Sequence, residues 1–315
     1  MSDASGPVGL LFPGQGSQRV GMGKDLAEAF PVVRWTFEEA DDALSFNLSR
    51  LCWEGPEEEL TLTVNAQPAL LVHSVAVWRL LEERQSLATI AAGHSLGEFS
   101  AYVAAGGMEF ADAVRTVRRR GELMLRSGEE RPGTMAAVLG LDDAVVESVC
   151  QQASDAGDGV VVPANYNAPG QVVVSGDVEA VRRAEPLLAE AGARKVVPLN
   201  VSGAFHSPLM ASAEEGLREQ LESVPLSDPR LPVVSNVTGE PVKEAATARD
   251  LLVRQLTSPV RWVEVERAML EVGLEECWEL GPGNVLAGLM KRVTRDVPTR
   301  TLGTVQEIDQ FWGRG

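Results

Sequence analysis

Residues 92–98 read Ala92-Gly93-His94-Ser95-Leu96-Gly97-Glu98 and close the apolar run 87–92. A Gly-x-Ser-x-Gly step at the end of a strand predicts a nucleophile elbow, in which a sharp turn presents the serine and a helix starts at once. Gly93 and Gly97 lack side chains, so strand and helix can pack closely around that turn. The Ser95 hydroxyl then projects above the sheet edge. The backbone N–H of Leu96, at the new helix start, is free to stabilise a developing oxyanion. The chemistry is acyl transfer, with the acceptor left open.

A serine nucleophile needs a base, and the chain has three histidines. His94 lies inside the elbow, where its side chain should point away from the serine. His73 falls in the apolar stripe of a helix and reads as a core histidine with one satisfied hydrogen bond. By elimination His206, in Ser202-Gly203-Ala204-Phe205-His206-Ser207-Pro208, is the base. Arg120 falls on the apolar face Ala113, Val117, Gly121, Met124, while Arg115, Arg118, Arg119, Glu122 and Arg126 take the solvated face. A buried arginine needs an anion. Either a structural carboxylate or a substrate carboxylate, gripped by two parallel hydrogen bonds, answers that need. Gly14-Gln15-Gly16-Ser17-Gln18 fails as a nucleotide loop, because Arg19 stands where the fingerprint requires glycine. It can instead lend a second oxyanion donor from its backbone. Gly281-Pro282-Gly283 reads as a tight turn lining the cleft.

The elements that must position these groups follow from periodicity and breakers. A strand at 9–12 precedes helices at 24–45 and 66–83, the strand 87–92 and a helix at 111–127. From 132 to 201 the order changes to strand 134–141, helix 142–153, strands 159–165 and 171–175, helix 178–191 and strand 194–199. That βαββαβ order predicts an inserted ferredoxin-like subdomain. Residues 1–131 and 202–315 form the larger domain, α/β-hydrolase-like with a parallel sheet core. Its later elements are strands near 232–236 and 276–280 and helices at 245–255 and 284–293. A cleft is expected between the two parts.

The 315 residues, 44% hydrophobic and 23% charged, suit a globular protein with a full core. A net charge of −17 argues against nucleic acid as a partner. Cys52, Cys150 and Cys277 are scattered, which predicts neither a disulfide framework nor a metal site. No apolar run reaches the roughly 18 residues of a membrane span, and residues 1–6 lack the features of a signal peptide. The expectation is a cytoplasmic monomer.

The chain resembles malonyl-CoA:acyl carrier protein transacylases and the related acyltransferase domains of polyketide synthases. The shared segments are Phe12-Pro13-Gly14-Gln15-Gly16-Ser17-Gln18, Gln67-Pro68-Ala69-Leu70, Gly93-His94-Ser95-Leu96-Gly97-Glu98 and Arg120-Gly121 with Met124. They continue through Asn165-Tyr166-Asn167-Ala168-Pro169-Gly170-Gln171, Ala204-Phe205-His206-Ser207, Pro259-Val260-Arg261-Trp262 and Glu279-Leu280-Gly281-Pro282-Gly283. The resemblance implies Ser95 as the acylated nucleophile, His206 as its base and the amides of Gln15 and Leu96 as the oxyanion hole. It implies Arg120 as the grip on the malonyl carboxylate and Gln255 as the residue orienting the histidine in place of a triad aspartate. Gln67, Met124, Asn165 and Asn167 would line the pocket, with Phe205 as in malonyl-selecting forms. Gly203, where polyketide malonyl domains often carry histidine, suits free-standing enzymes. No metal or bound organic cofactor is implied; coenzyme A and the phosphopantetheine arm arrive with malonyl-CoA and an acyl carrier protein.

Three alternatives keep the elbow. One is a discrete acyltransferase of a polyketide assembly line. Another is a serine hydrolase drawing its acid from Asp142 or Asp155. A binding-only module, the third, would leave Ser95, His206 and Arg120 without a purpose. For carrier docking, Lys291, Arg292 and Arg295 are the foremost basic cluster and Arg118, Arg119 and Arg126 the second. Cations that merely complement a helix C-terminus explain either equally well.

Overall fold

The computed structural model describes residues 6–313; most of the 1–6 segment read above for a leader lies outside them. In chain order the strands are β1 (Val8–Phe12), β2 (Ala88–Gly93), β3 (Gly133–Leu139), β4 (Val161–Ala168), β5 (Gln171–Asp177) and β6 (Lys195–Pro198). They continue as β7 (Val233–Val234), β8 (Pro241–Val242), β9 (Glu276–Leu280) and β10 (Thr299–Leu302). The larger sheet runs β10-β9-β1-β2-β7-β8, and every neighbouring pair is parallel except β7 with β8. Every residue of the central strand β1 is buried, as a parallel strand covered on both faces must be. Its alternation feeds two cores. Val8, Leu10 and Phe12 pack with Leu70, Phe99 and Val117, while Leu11 joins Ile90, Ala92, Trp262 and Met290 on the other face.

The second sheet runs β4-β5-β3-β6 and is antiparallel throughout. Helices Asp143–Asp155 and Val178–Glu190 share its apolar cluster around Val138, Val146, Val172, Val181 and Leu188. This is the ferredoxin-like arrangement. Among the described residues two backbone hydrogen bonds join the parts, Tyr166 N–H to Val260 O at 2.9 Å and Val260 N–H to Ala164 O at 2.8 Å.

Several elements differ from their expected extents, each for a local reason. The helix expected at 24–45 is two, Lys24–Ala29 and Pro31–Leu44, because Phe30 precedes a proline and turns extended (φ −128°, ψ 114°). Helix Thr63–Leu80 is buried on every side from Asn65 through Trp78, so the single stripe read from it understated its depth. Strand β4 reaches Ala168, which carries Asn165 and Asn167 within the sheet. Helices Ala211–Glu222 and Trp262–Leu270 and strand β10 had no sequence expectation. No helix among the described residues is long and apolar enough to cross a membrane.

Candidate active site

Strands β1, β2 and β7 deliver their C-terminal ends to one edge of the parallel sheet, the edge where open α/β sheets place ligands. The elbow forms there because three backbone segments pack without side chains between them. A Cβ at Gly93 would lie 1.9 Å from the Gly97 carbonyl carbon, and one at Gly97 would lie 2.1 Å from Phe12 O. Ser95 consequently adopts φ 51°, a left-handed conformation that costs on the order of 1–3 kcal/mol and needs support. Asn236, just beyond β7, accepts from Ser95 N–H at 2.6 Å and donates to Gly93 O at 2.8 Å. From the other side Gln255 Nε2 donates to Ser95 O at 3.0 Å.

His206 Nε2 lies 2.8 Å from Ser95 Oγ, and its Nδ1 lies 2.8 Å from the backbone carbonyl of Gln255. A carbonyl only accepts, so the proton sits on Nδ1 and the Nε2 lone pair faces the serine hydroxyl. Gln255, the residue that the resemblance sets beside the histidine, meets it through its peptide oxygen, while its side chain bonds to Arg120, Glu98 and Ser95 O. Burial, then the Arg120 charge, lowers the His206 pKa to about 3. The imidazole is thus neutral and able to take a proton throughout the physiological range.

Arg120 is 1% exposed. Its Nη1 donates to Gln67 Oε1 at 2.7 Å, and its Nη2 donates to Gln255 Oε1 at 2.8 Å and to Ser95 Oγ at 3.1 Å. All three partners are neutral, and Nε has none among the described residues. The structural acid left open by the helix pattern is Glu98, which stands one amide away. It is fully buried, and its Oε2 accepts from Gln255 Nε2 at 2.7 Å and from Asn236 N–H at 3.2 Å. Burial pushes the Glu98 carboxyl up to about 7 and lowers Arg120 to about 10, so the guanidinium remains charged.

The cavity above Ser95 measures about 380 Å³ and is lined by Gln15, Gln67, Leu96, Arg120, Met124, Asn165, Asn167, Phe205 and His206. Neither Gln15 N–H nor Leu96 N–H donates to another described residue, which leaves both amides available at the cavity wall. His94 also lines it: instead of turning away from the serine side, its Nε2 meets Asn167 Oδ1 at 2.8 Å and ties the elbow to β4. Met124 Sδ stands 3.3 Å from Gln67 Nε2. His73 is a core histidine, with Nε2 3.1 Å from Gly303 O. The turn at Gly281 packs against Pro13 and Ser74 and takes no part in lining the cavity, contrary to expectation.

The basic cluster divides. Arg292 donates to Pro169 O at 2.6 Å and to Gln171 Oε1, so it clamps the β4–β5 turn and is not free for a partner. Lys291 and Arg295 are exposed. Arg118 is likewise engaged, with Asn65 Oδ1 at 2.6 Å and the Phe46 ring. Sequence pattern singles out neither Asn236 nor Glu98. Asn236 follows a strand of only two residues, and Glu98 occupies the first turn of a helix, where acids are commonplace.

A hydroxyl hydrogen-bonded to a neutral imidazole at the edge of a parallel α/β sheet, with a spare cation beside it, has the makings of a serine acyltransferase. Residues 10–308 match the model of the acyl transferase domain family. The malonyl CoA-acyl carrier protein transacylase of Bacillus subtilis is 45% identical over 96% of this chain and 95% of its own. The crystal structure of malonyl-CoA:acyl carrier protein transacylase from Xanthomonas oryzae superposes with a TM-score of 0.93 at 43% identity, covering 97% of each chain. A malonyl-transacylase solved in complex with a type II polyketide synthase acyl-carrier protein gives 0.93 at 42%, over 98% of this chain and 99% of that one. The chain belongs to the acyl transferase domain family, among the malonyl CoA-acyl carrier protein transacylases.

Proposed function

We propose that this enzyme moves a malonyl group from malonyl-CoA to the phosphopantetheine thiol of an acyl carrier protein through an ester on Ser95. The observation that carries the reading is Arg120, a buried cation held only by neutral oxygens and bonded to the Ser95 hydroxyl itself. The malonyl carboxylate takes the guanidinium, which sets the thioester carbonyl over Ser95 Oγ. His206 Nε2 accepts the hydroxyl proton as Oγ attacks, and the carbonyl oxygen turns its charge towards the amides of Gln15 and Leu96. Loss of one such donor costs about 2.7–4 kcal/mol of transition-state stabilisation. The tetrahedral intermediate collapses, the C–S bond breaks, and the imidazolium proton leaves with the coenzyme A thiol. In the second half-reaction the carrier thiol gives its proton to His206 and attacks the ester carbonyl. The proton then returns to Ser95 Oγ as the serine departs.

Selectivity follows from what each acyl group leaves unpaired. An acetyl group makes no hydrogen bond to Arg120 through a carboxylate, and each such bond to a charged group is worth about 1.5–3 kcal/mol. An α-methyl group alters binding by about 1–3 kcal/mol, so rejection of methylmalonyl falls to the wall formed by Phe205, which is buried beside the base. Every group used comes from one copy of the chain. In this reading the segment 132–201 is a unit that roofs the cavity, and the enzyme works in the cytoplasm.

Intact-protein mass spectrometry after mixing with malonyl-CoA tests the reading. A malonyl adduct should accumulate on the wild type, disappear in Ser95→Ala and discharge on addition of holo carrier protein. Steady release of malonate without an adduct would mark a hydrolase instead.

A further inference from the structure

We infer that Glu98 is the internal counter-charge of Arg120 and sets how strongly the site prefers acyl groups that carry a carboxylate. The inference rests on Arg120 as the anchor of the malonyl carboxylate. One amide, in one orientation, stands between the two charges: Gln255 Nε2 donates to Glu98 Oε2 at 2.7 Å while Gln255 Oε1 accepts from Arg120 Nη2 at 2.8 Å. A flipped amide would turn its oxygen on the carboxylate and its N–H on the guanidinium, so Glu98 and Arg120 each hold it in place. Glu98 is 0% exposed and its Oε1 has no partner among the described residues, so solvent does not screen its charge. The charged or titratable groups whose interaction with it is resolved are Arg120, from helix Phe110–Glu130, and Tyr102, on its own helix. Gln255 and Asn236, which donate to its Oε2, are neutral.

In the free enzyme, at pH above about 7 where Glu98 is ionised, the buried charges of Glu98 and Arg120 cancel. A malonyl carboxylate on Arg120 makes two negative charges around one positive, and Glu98 repels it. An acetyl group adds no charge and feels no such repulsion. Glu98 therefore loosens the grip on malonyl, so that the acyl group enters and can also be surrendered to the second thiol. It acts as a positioning and selectivity residue and touches no reacting atom.

Glu98→Gln removes the charge and keeps an oxygen to accept from Gln255 Nε2 and Asn236 N–H. The malonyl-to-acetyl ratio of loading kcat/KM should rise on the order of tenfold, the scale of one unscreened charge at an effective dielectric near 20. The gain should appear as a lower KM for malonyl-CoA. A residue with only a structural role would depress both substrates alike and leave the ratio unmoved. A second arm needs no variant. Burial lifts the Glu98 carboxyl to about 7, so it ionises above that pH and is neutral below it. The wild-type ratio should climb towards that of Glu98→Gln as pH falls through about 7, while the ratio of the variant stays flat. Ionisations of the coenzyme A moiety are common to both substrates and cancel.

A folded Glu98→Gln with an unchanged or lower ratio overturns the inference. If the variant does not fold, a flat wild-type ratio across that range does so. A wild type that forms no malonyl adduct on Ser95 overturns both this inference and the function beneath it. An adduct with an unmoved ratio removes the inference alone.

Discussion

Replacing Arg120 by alanine removes the only cation that hydrogen-bonds to Ser95 Oγ among the described residues. Hydrogen bonds to a charged group are worth about 1.5–3 kcal/mol each. The malonyl-to-acetyl loading ratio should therefore fall by roughly a hundredfold in Arg120→Ala, through loss of malonyl activity with acetyl activity largely kept. An unaltered ratio in parallel loading assays with the two thioesters would remove the carboxylate grip from the mechanism. Ser95, Arg120 and His206 were legible in the sequence, because a strained elbow, an arginine on an apolar face and a shortage of histidines each leave a pattern in residue types. Asn236 and the carbonyl of Gln255 were not. Every residue has a carbonyl, and the partner of an asparagine amide 141 positions away is decided by tertiary placement alone.

Among the elements, the junction of β1, β2 and helix Gly97–Ala104 is the least forgiving. Glycine is required at position 93 by contact, since its added carbon would overlap the Gly97 carbonyl carbon at 1.9 Å. Such a clash has to be relieved by moving backbone, and overpacking of this kind costs about 1–3 kcal/mol or more. Gly93→Ala should lower the melting temperature and abolish adduct formation together, whereas Ser95→Ala should abolish the adduct with little change in melting. Equal melting curves for the two variants would contradict the packing account. Helix type and strand order were well signalled by periodicity, including the whole βαββαβ insert. Boundaries were less so. The proline at 31 ended one helix and began another, and the registry shifts in β4 moved its end by three residues, from the expected 165 to Ala168.

At the scale of the whole molecule, a chain of net charge −17 can meet an anionic partner only through a local basic surface. Lys291 and Arg295 are exposed at the end of helix Val285–Val293, while Arg292 is occupied in holding the β4–β5 turn. The three should therefore separate on charge reversal. Lys291→Glu with Arg295→Glu should raise the carrier protein's KM several-fold and leave malonyl-CoA loading intact, as rim charges act on encounter. Arg292→Glu should disturb both half-reactions, because it unlatches a turn next to Asn167, which meets His94 in the cavity wall. Loading that changes equally in all three would dissolve the distinction.

The group that fixes the His206 ring is the peptide oxygen of Gln255. In genetic terms that oxygen belongs to no codon. A point mutation can replace the side chain at 255 and still leave the tautomer of the base in place, whereas an aspartate in a triad is one nucleotide change from removal.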